Sequence, residues 1–245
     1  MAQQITQVAT TEKLALSQTF QAQRSITIQP KYDPKTRTDA ELELDKDPIN
    51  RPGETAQEAA ERAKLAQEEI FKRVMDRYDG LGEKPSHLDM TANDAAHSPH
   101  AHTGRRHGSQ IPMERSLDAN GQPDGTQTIE GRIYGDPPWN TDGGKQNFSA
   151  KWLSQDILNQ TVNHYLRNNW EQIRSDLATG GEHAKSFDAG PVIGEGYFNK
   201  NYGQPGGPIS KGPTSTSMVF IAIKFVPGNP PSFYIITTYP TLRGF

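Results

Sequence analysis

Apolar periodicity along this chain is helical first and strand-like last, an order that excludes a run of βαβ units. From Ser149 to Leu177, the residues Trp152, Leu153, Ile157, Leu158, Val162, Tyr165, Leu166, Trp170, Ile173 and Leu177 recur at three- and four-residue spacings. That spacing lays one apolar stripe along a helix, which we expect to be broken at most once. The C-terminus then changes period. Val219, Ile221, Ile223 and Phe225 alternate with less apolar neighbours, Pro227-Gly228-Asn229-Pro230-Pro231 makes a turn, and the run from Phe233 to Tyr239 is rich in aromatic and β-branched residues. This is a hairpin signature. Helices first and strands last predict an α+β domain with helices packed on an antiparallel sheet. Its core should be Trp152, Ile157, Val162, Leu166 and Ile173 of the helix against Val219, Ile221 and Ile223, each burial contributing about 1.5 to 3 kcal/mol.

Upstream, Thr55 followed by Glu58 forms a capping box, and Gly80 stands where a glycine ends a helix. Ala59, Ala63, Ala66, Ile70, Val74 and Tyr78 share one face of that helix, which either packs on its own protein or docks a delivery or chaperone protein. Residues 1–53 are polar and interrupted by Pro30, Pro34, Pro48 and Pro52, so they are expected to be a disordered or docking segment. Residues 54–85 form the amphipathic helix and linker, and 86–245 the main domain. The stretch from Leu81 to Phe148 reads mostly as loop, and Gly180 to Thr216 as a long loop with one short strand at Pro191 to Phe198.

Composition removes several classes. With Cys 0 there is no disulfide, no thiol nucleophile and no thiolate zinc site, so packing alone must stabilise the fold. The net charge of -3, acidic in the first 96 residues and close to neutral after them, does not suit a stable nucleic-acid binder, which needs a basic face to displace counterions from several phosphates. An enzyme that touches one or two phosphates has no such need. The first residues lack the basic start and apolar run of a secretory signal, and the longest apolar stretch, Met218 to Phe225, is too short to span a bilayer. Export would therefore follow a non-classical route.

The group His97, His100, His102 and His107 is the most conspicuous chemical feature. As a metal site it lacks the i, i+4 histidine pair of a helical zinc site and any thiolate, and His97 and His100 read as exposed loop residues. Gly194-Glu195-Gly196 has no strand, lysine and helix around it and is no phosphate loop. Ser215-Thr216-Ser217 has no downstream Glu-x-Glu to make an ADP-ribosyltransferase. Trp139, in Asp136-Pro137-Pro138-Trp139-Asn140, either stacks a base or plugs a core edge.

The run His102-Thr103-Gly104-Arg105-Arg106-His107-Gly108, followed by Arg115, resembles the opening motif of the bacterial ribonuclease A-like toxin domains. In that family a His-Thr dipeptide precedes a second histidine and an arginine follows. The ending Thr237-Thr238-Tyr239-Pro240 is similar to the family's closing Thr-x-Tyr-Pro, and Phe148-Ser149 to the opening of its helical stretch. His107 to Arg115 is closer than the family pattern, and the insert from Gly121 to Asn147 is long. The resemblance implies a ribonuclease A-like fold and a toxin of the contact-dependent inhibition or polymorphic class, delivered by secretion machinery into a target-cell cytoplasm. It also implies an RNA substrate and a cognate immunity protein.

The residue types fit that chemistry. RNA transphosphorylation needs a base for the 2′-OH proton, an acid for the leaving 5′-oxygen and groups that hold the phosphorane's charge. It needs no metal and no cofactor. Imidazoles transfer protons near neutral pH, a guanidinium holds two phosphate oxygens, and Thr and Tyr hydroxyls supply neutral hydrogen bonds. Thr237 and Tyr239, two apart on a strand, share a face while Thr238 points away. The candidate site is thus His107 for acid/base work, Arg115 for the phosphorane, Thr237 and Tyr239 for base or phosphate, and His102 as second proton-transfer group or support. Lys145, Lys151 and Lys185 are equivalent candidates for a phosphate ligand. Two other classes stay open: a non-enzymatic binding or adaptor module, and a metal-dependent nuclease using His97, His100 and His102.

Overall fold

The computed structural model describes residues 32–139 and 146–242, and the chain divides into two compact units, 1–72 and 73–245. Most of the segment 1–53 expected to be unstructured lies outside the described residues. Its described part begins with a 3-10 turn at Pro34–Thr36 and a short helix, α1 (Asp39–Asp45), closed by a capping box between Thr38 and Glu41. Helix α2 (Ala56–Gly80) starts at the expected signal, with the Glu58 N–H donating to the Thr55 hydroxyl (3.2 Å) and the Thr55 N–H to the Glu58 carboxylate (2.8 Å). Ala59, Ala63 and Ala66 are buried, as is Arg62. That guanidinium donates to the carbonyls of Asp45 (2.7 Å) and Ile49 (2.9 Å) and to the Glu54 carboxylate. The proline-interrupted stretch thus takes its shape from one buried side chain that satisfies its backbone.

The second unit carries α3 (Met90–Ala96), α4 (Thr103–His107), α5 (Ile129–Tyr134), β1 (Phe148–Trp152), α6 (Gln155–Gly180), β2 (Glu182–Asp188), β3 (Gly194–Asn199), β4 (Ser210–Thr216), β5 (Met218–Val226) and β6 (Ser232–Pro240). The architecture is α+β, with two antiparallel three-stranded sheets, ordered β1-β3-β4 and β2-β5-β6. Among the described residues there are six α-helices, none long and apolar enough to cross a membrane.

The expected core forms, with Val162, Leu166 and Ile173 of α6 fully buried against Val219, Ile221 and Ile223 of β5. One boundary is corrected. The long helix starts after Ser154, whose hydroxyl accepts from the Ile157 N–H (3.1 Å), and the preceding Phe148–Trp152 is a strand. Trp152 happens to fit the helical stripe, yet it reaches the same core from β1. A kink falls at Asn169, whose amide donates to the Tyr165 carbonyl (2.9 Å) and competes with the helix's own bonds. The strand expected at Pro191 to Phe198 is β3, but the long loop expected around it holds two more strands, β2 and β4, mostly polar and exposed, which hides their period.

Two details bring the eventual site together. Gly196 of β3 pairs with Ala150 of β1, and a side chain at Gly196 would collide with the Ser149 carbonyl and Ala150, so glycine permits the close approach of these strands. The outer edge of β6 is covered by side chains and backbone from the α3–α4 segment. The Asn93 amide donates to the Ile235 carbonyl (2.8 Å) and accepts from the Ile235 N–H (2.9 Å). The His102 N–H donates to the Ile236 carbonyl (3.1 Å), and the Thr103 hydroxyl accepts from the Thr238 N–H (3.0 Å). The His-Thr dipeptide therefore acts as a clasp on an edge strand that would otherwise leave its groups unpaired.

Candidate active site

That clasp sets α4 against β6, and β1 closes the third side. The result is a cleft of about 270 Å³ lined by His102, Arg106 and His107 of the clasp segment, Arg132 of α5, Ser149 of β1, and Thr237 and Tyr239 of β6. Four of the five residues expected from sequence, His102, His107, Thr237 and Tyr239, thus meet in one place although they lie at opposite ends of the domain. The alternation of β6 accounts for the last pair. Thr238 between them is fully buried and donates to the Phe220 carbonyl (2.9 Å).

Arg115 is not among the lining residues. Its guanidinium makes a bidentate pair with Asp136 (2.5 and 2.8 Å) and lies 4.3 Å over the Tyr134 ring. The cleft's cations are Arg106 and Arg132, the latter stacked 4.8 Å over Trp139. Trp139 itself is buried and donates its indole N–H to the Thr128 carbonyl (2.7 Å), so it is a core plug. Lys151 donates to the Ser109 and Ile111 carbonyls, Lys185 lies on β2, and Lys145 lies outside the described residues. No carboxylate lines the cleft among the described residues, which in a protein of net charge -3 is a local reversal of sign.

His107 is the most constrained group. The residue is 6% exposed, and its ring stacks on Tyr239 with centroids 4.6 Å apart and has Nδ1 3.0 Å from the Ala150 carbonyl. A carbonyl only accepts, so Nδ1 carries the proton and Nε2 holds a lone pair. No hydrogen bond occupies Nε2 among the described residues. Burial, reinforced by the nearby Arg132 charge, holds this imidazole well below its ordinary pKa. Burial also lowers His102, whose Nδ1 donates to the His100 carbonyl (2.9 Å), and raises the Tyr239 phenol against a smaller opposing pull from Arg132. Ser149, 1% exposed, and Thr237 each present a buried hydroxyl with no hydrogen-bond partner among the described residues. Two unspent hydroxyls beside two guanidiniums suit a polar, anionic ligand.

His97 stacks on Tyr234 at 4.4 Å and belongs to neither cleft nor cluster. No group of three or more His, Asp or Glu among the described residues could hold a metal ion. Arg106, Arg132 and Ser149 are the cleft residues to which the sequence assigned no role. Arg106 and Ser149 stand inside the motifs that carry the resemblance, whereas nothing local distinguishes Arg132 from Arg115.

No family model and no curated protein matches this chain. A solved structure described as "Crystal structure of CdiA-CT/CdiI complex from Y. kristensenii 33638" is similar over 42% of this chain and 84% of the matched chain, at 20% identity and a TM-score of 0.31. At that TM-score the likeness carries no argument about fold or chemistry.

Proposed function

We propose that the cleft cleaves RNA by metal-independent transphosphorylation. The observation that carries this reading is His107: a neutral, buried imidazole with Nδ1 committed to Ala150 and, among the described residues, no hydrogen bond at Nε2, two guanidiniums beside it and no carboxylate lining the cleft. His107 Nε2 takes the 2′-OH proton, the 2′-oxygen bonds to phosphorus, and the P–O5′ bond breaks. His102 returns a proton to the 5′-oxygen, leaving a 2′,3′-cyclic phosphate. The substrate's own phosphate favours the imidazolium form of His102, which borders it. Arg132 and Arg106 take the role expected of Arg115, holding the charge of the phosphorane. Tyr239 keeps its proton and, with Thr237 and Ser149, donates to the phosphate or sugar.

The sequence resemblance extends this reading to a secreted toxin that acts in a target-cell cytoplasm and is blocked by an immunity protein in the cell that makes it. Incubating the purified chain with total RNA in excess chelator tests the chemistry. Fragments ending in 2′,3′-cyclic phosphates are expected; RNA cut only when the chelator is left out would favour a metal-dependent nuclease, and RNA intact with and without chelator would favour a binding module.

A further inference from the structure

His102 lines a second cavity as well as the first. This cavity, of about 470 Å³, is walled by α3, α4 and the start of α6 and includes Met90, Thr91, Asp94, Gln110 and Leu158. Met90 and Leu158 are each 1% exposed and belong to the core beneath it, so the reachable lining is polar. Thr91, Ser98, His102, Arg105 and Gln110 stand around one carboxylate held by its surroundings. Asp94 Oδ2 accepts from the Gly104 N–H (2.7 Å) and Oδ1 from the Asn93 amide (3.3 Å). Each oxygen keeps a second lone pair. Gln110 braces the same loop by donating to the Gly104 carbonyl (2.8 Å). Burial raises the Asp94 carboxyl above its ordinary value, so ligand donors would relieve a carboxylate short of solvent.

A fixed pair of acceptors in a cavity that shares His102 with the cleft is the chemistry of a base-binding site that reads hydrogen-bond donors. Guanine offers two adjacent donors, N1–H and N2–H, along its Watson–Crick edge, which match the two oxygens of one carboxylate. Adenine and cytosine offer one amino group there, and uracil a single imino N–H. Direction follows from the ribonuclease reading, on which this inference rests. His102 protonates the leaving 5′-oxygen, so the nucleoside attached to that oxygen lies on the His102 side, away from His107. We propose that the second cavity binds the base that follows the scissile phosphate, and that Asp94 selects guanine there.

The test uses the full chain and short RNA oligonucleotides in which the base following the cleavable bond is varied. A bidentate pair to a base is worth roughly 5- to 150-fold in discrimination, so kcat/KM should favour guanine over uracil at that position by about ten-fold or more. Asp94→Asn keeps an oxygen for Gly104 and exchanges one acceptor for a donor. It should bring the guanine-to-uracil ratio close to one. Thr91→Trp, at an exposed position on the cavity wall, fills the site without touching Asp94's bonds and should flatten the ranking too, which decides the matter if Asp94→Asn does not fold. Cleavage with no guanine preference, or a preference that survives both variants, overturns the inference and leaves the ribonuclease reading intact. Oligonucleotides and total RNA left whole by the wild-type chain overturn the ribonuclease reading itself, and this inference with it.

Discussion

Two histidines are buried in the second unit, and what separates them is how their nitrogens are spent. His183, 1% exposed, donates from Nδ1 to Asp176 (2.7 Å) and accepts at Nε2 from the Tyr165 hydroxyl (2.8 Å). It resembles a relay for activating a hydroxyl, and Tyr165 borders the larger cavity, about 1000 Å³, along α6. Burial, however, pushes the Tyr165 phenol up to about 12, so the hydroxyl keeps its proton and the chain of bonds ties α6 to β2. His107 is equally enclosed, yet one of its nitrogens has no hydrogen bond among the described residues and its charged neighbours are arginines. Burial marks both residues. Among the described residues, a lone pair without a hydrogen bond in a cleft of one sign marks His107 and not His183.

Exchanging each histidine in turn breaks this contrast most sharply. His107→Ala should lower RNA cleavage by roughly 10²- to 10⁴-fold, the usual worth of general acid/base catalysis, with the fold retained by circular dichroism. His183→Gln should instead destabilise the chain by about 1 to 3 kcal/mol, the cost of stranding buried partners, while the folded fraction keeps its kcat. Equal losses of activity in the two variants would erase the distinction.

The arginines sharpen it. Arg132→Ala should cost roughly 10²- to 10³-fold in kcat, as for loss of one donor to a developing oxyanion. Arg115→Ala should leave kcat within a few-fold and lower stability by about 1 to 3 kcal/mol, because the Asp136 carboxylate, 8% exposed, loses both its bonds. A stable Arg115→Ala protein without activity would restore Arg115 to the chemistry.

The smallest effect is in stability against pH. An unfolded imidazole titrates near about 6.5, and the folded His107 titrates below that. Between the two values the unfolded chain binds the proton and the folded chain does not, so the contribution is complete above about 6.5 and is lost as pH falls below it. Its slope is at most about 1.4 kcal/mol per pH unit. Denaturant titrations of wild type and His107→Gln between pH 7.5 and 5 should show this extra acid sensitivity in the wild type alone.

Much of the second unit is legible in its residues. The apolar stripe of α6 and the alternation of β5 identify the core because side-chain periodicity is a local property of a helix or a strand. Thr55 and Glu58 announce α2 because capping is settled within four residues. Strands β2 and β4 were not legible because half-exposed polar strands take their pairing from neighbours distant in sequence. Trp152 misled for a related reason: its spacing fits a helix, while only the approach of β3 through Gly196 decides that it sits on a strand.

The sequence by itself determined which residue types could do the chemistry and that Thr237 and Tyr239 share a face, since strand geometry alone fixes that. Only tertiary structure decided which cation joins them. Arg115 and Arg132 flank the same loop, but a carboxylate supplied from Asp136 claims the first, and α5 carries the second to the cleft. It also decided why His102-Thr103 meets the final strand at all. A strand edge leaves backbone groups that must be paired, and the pairing through Asn93, His102 and Thr103 holds the two histidines of α4 and its cap against Thr237 and Tyr239.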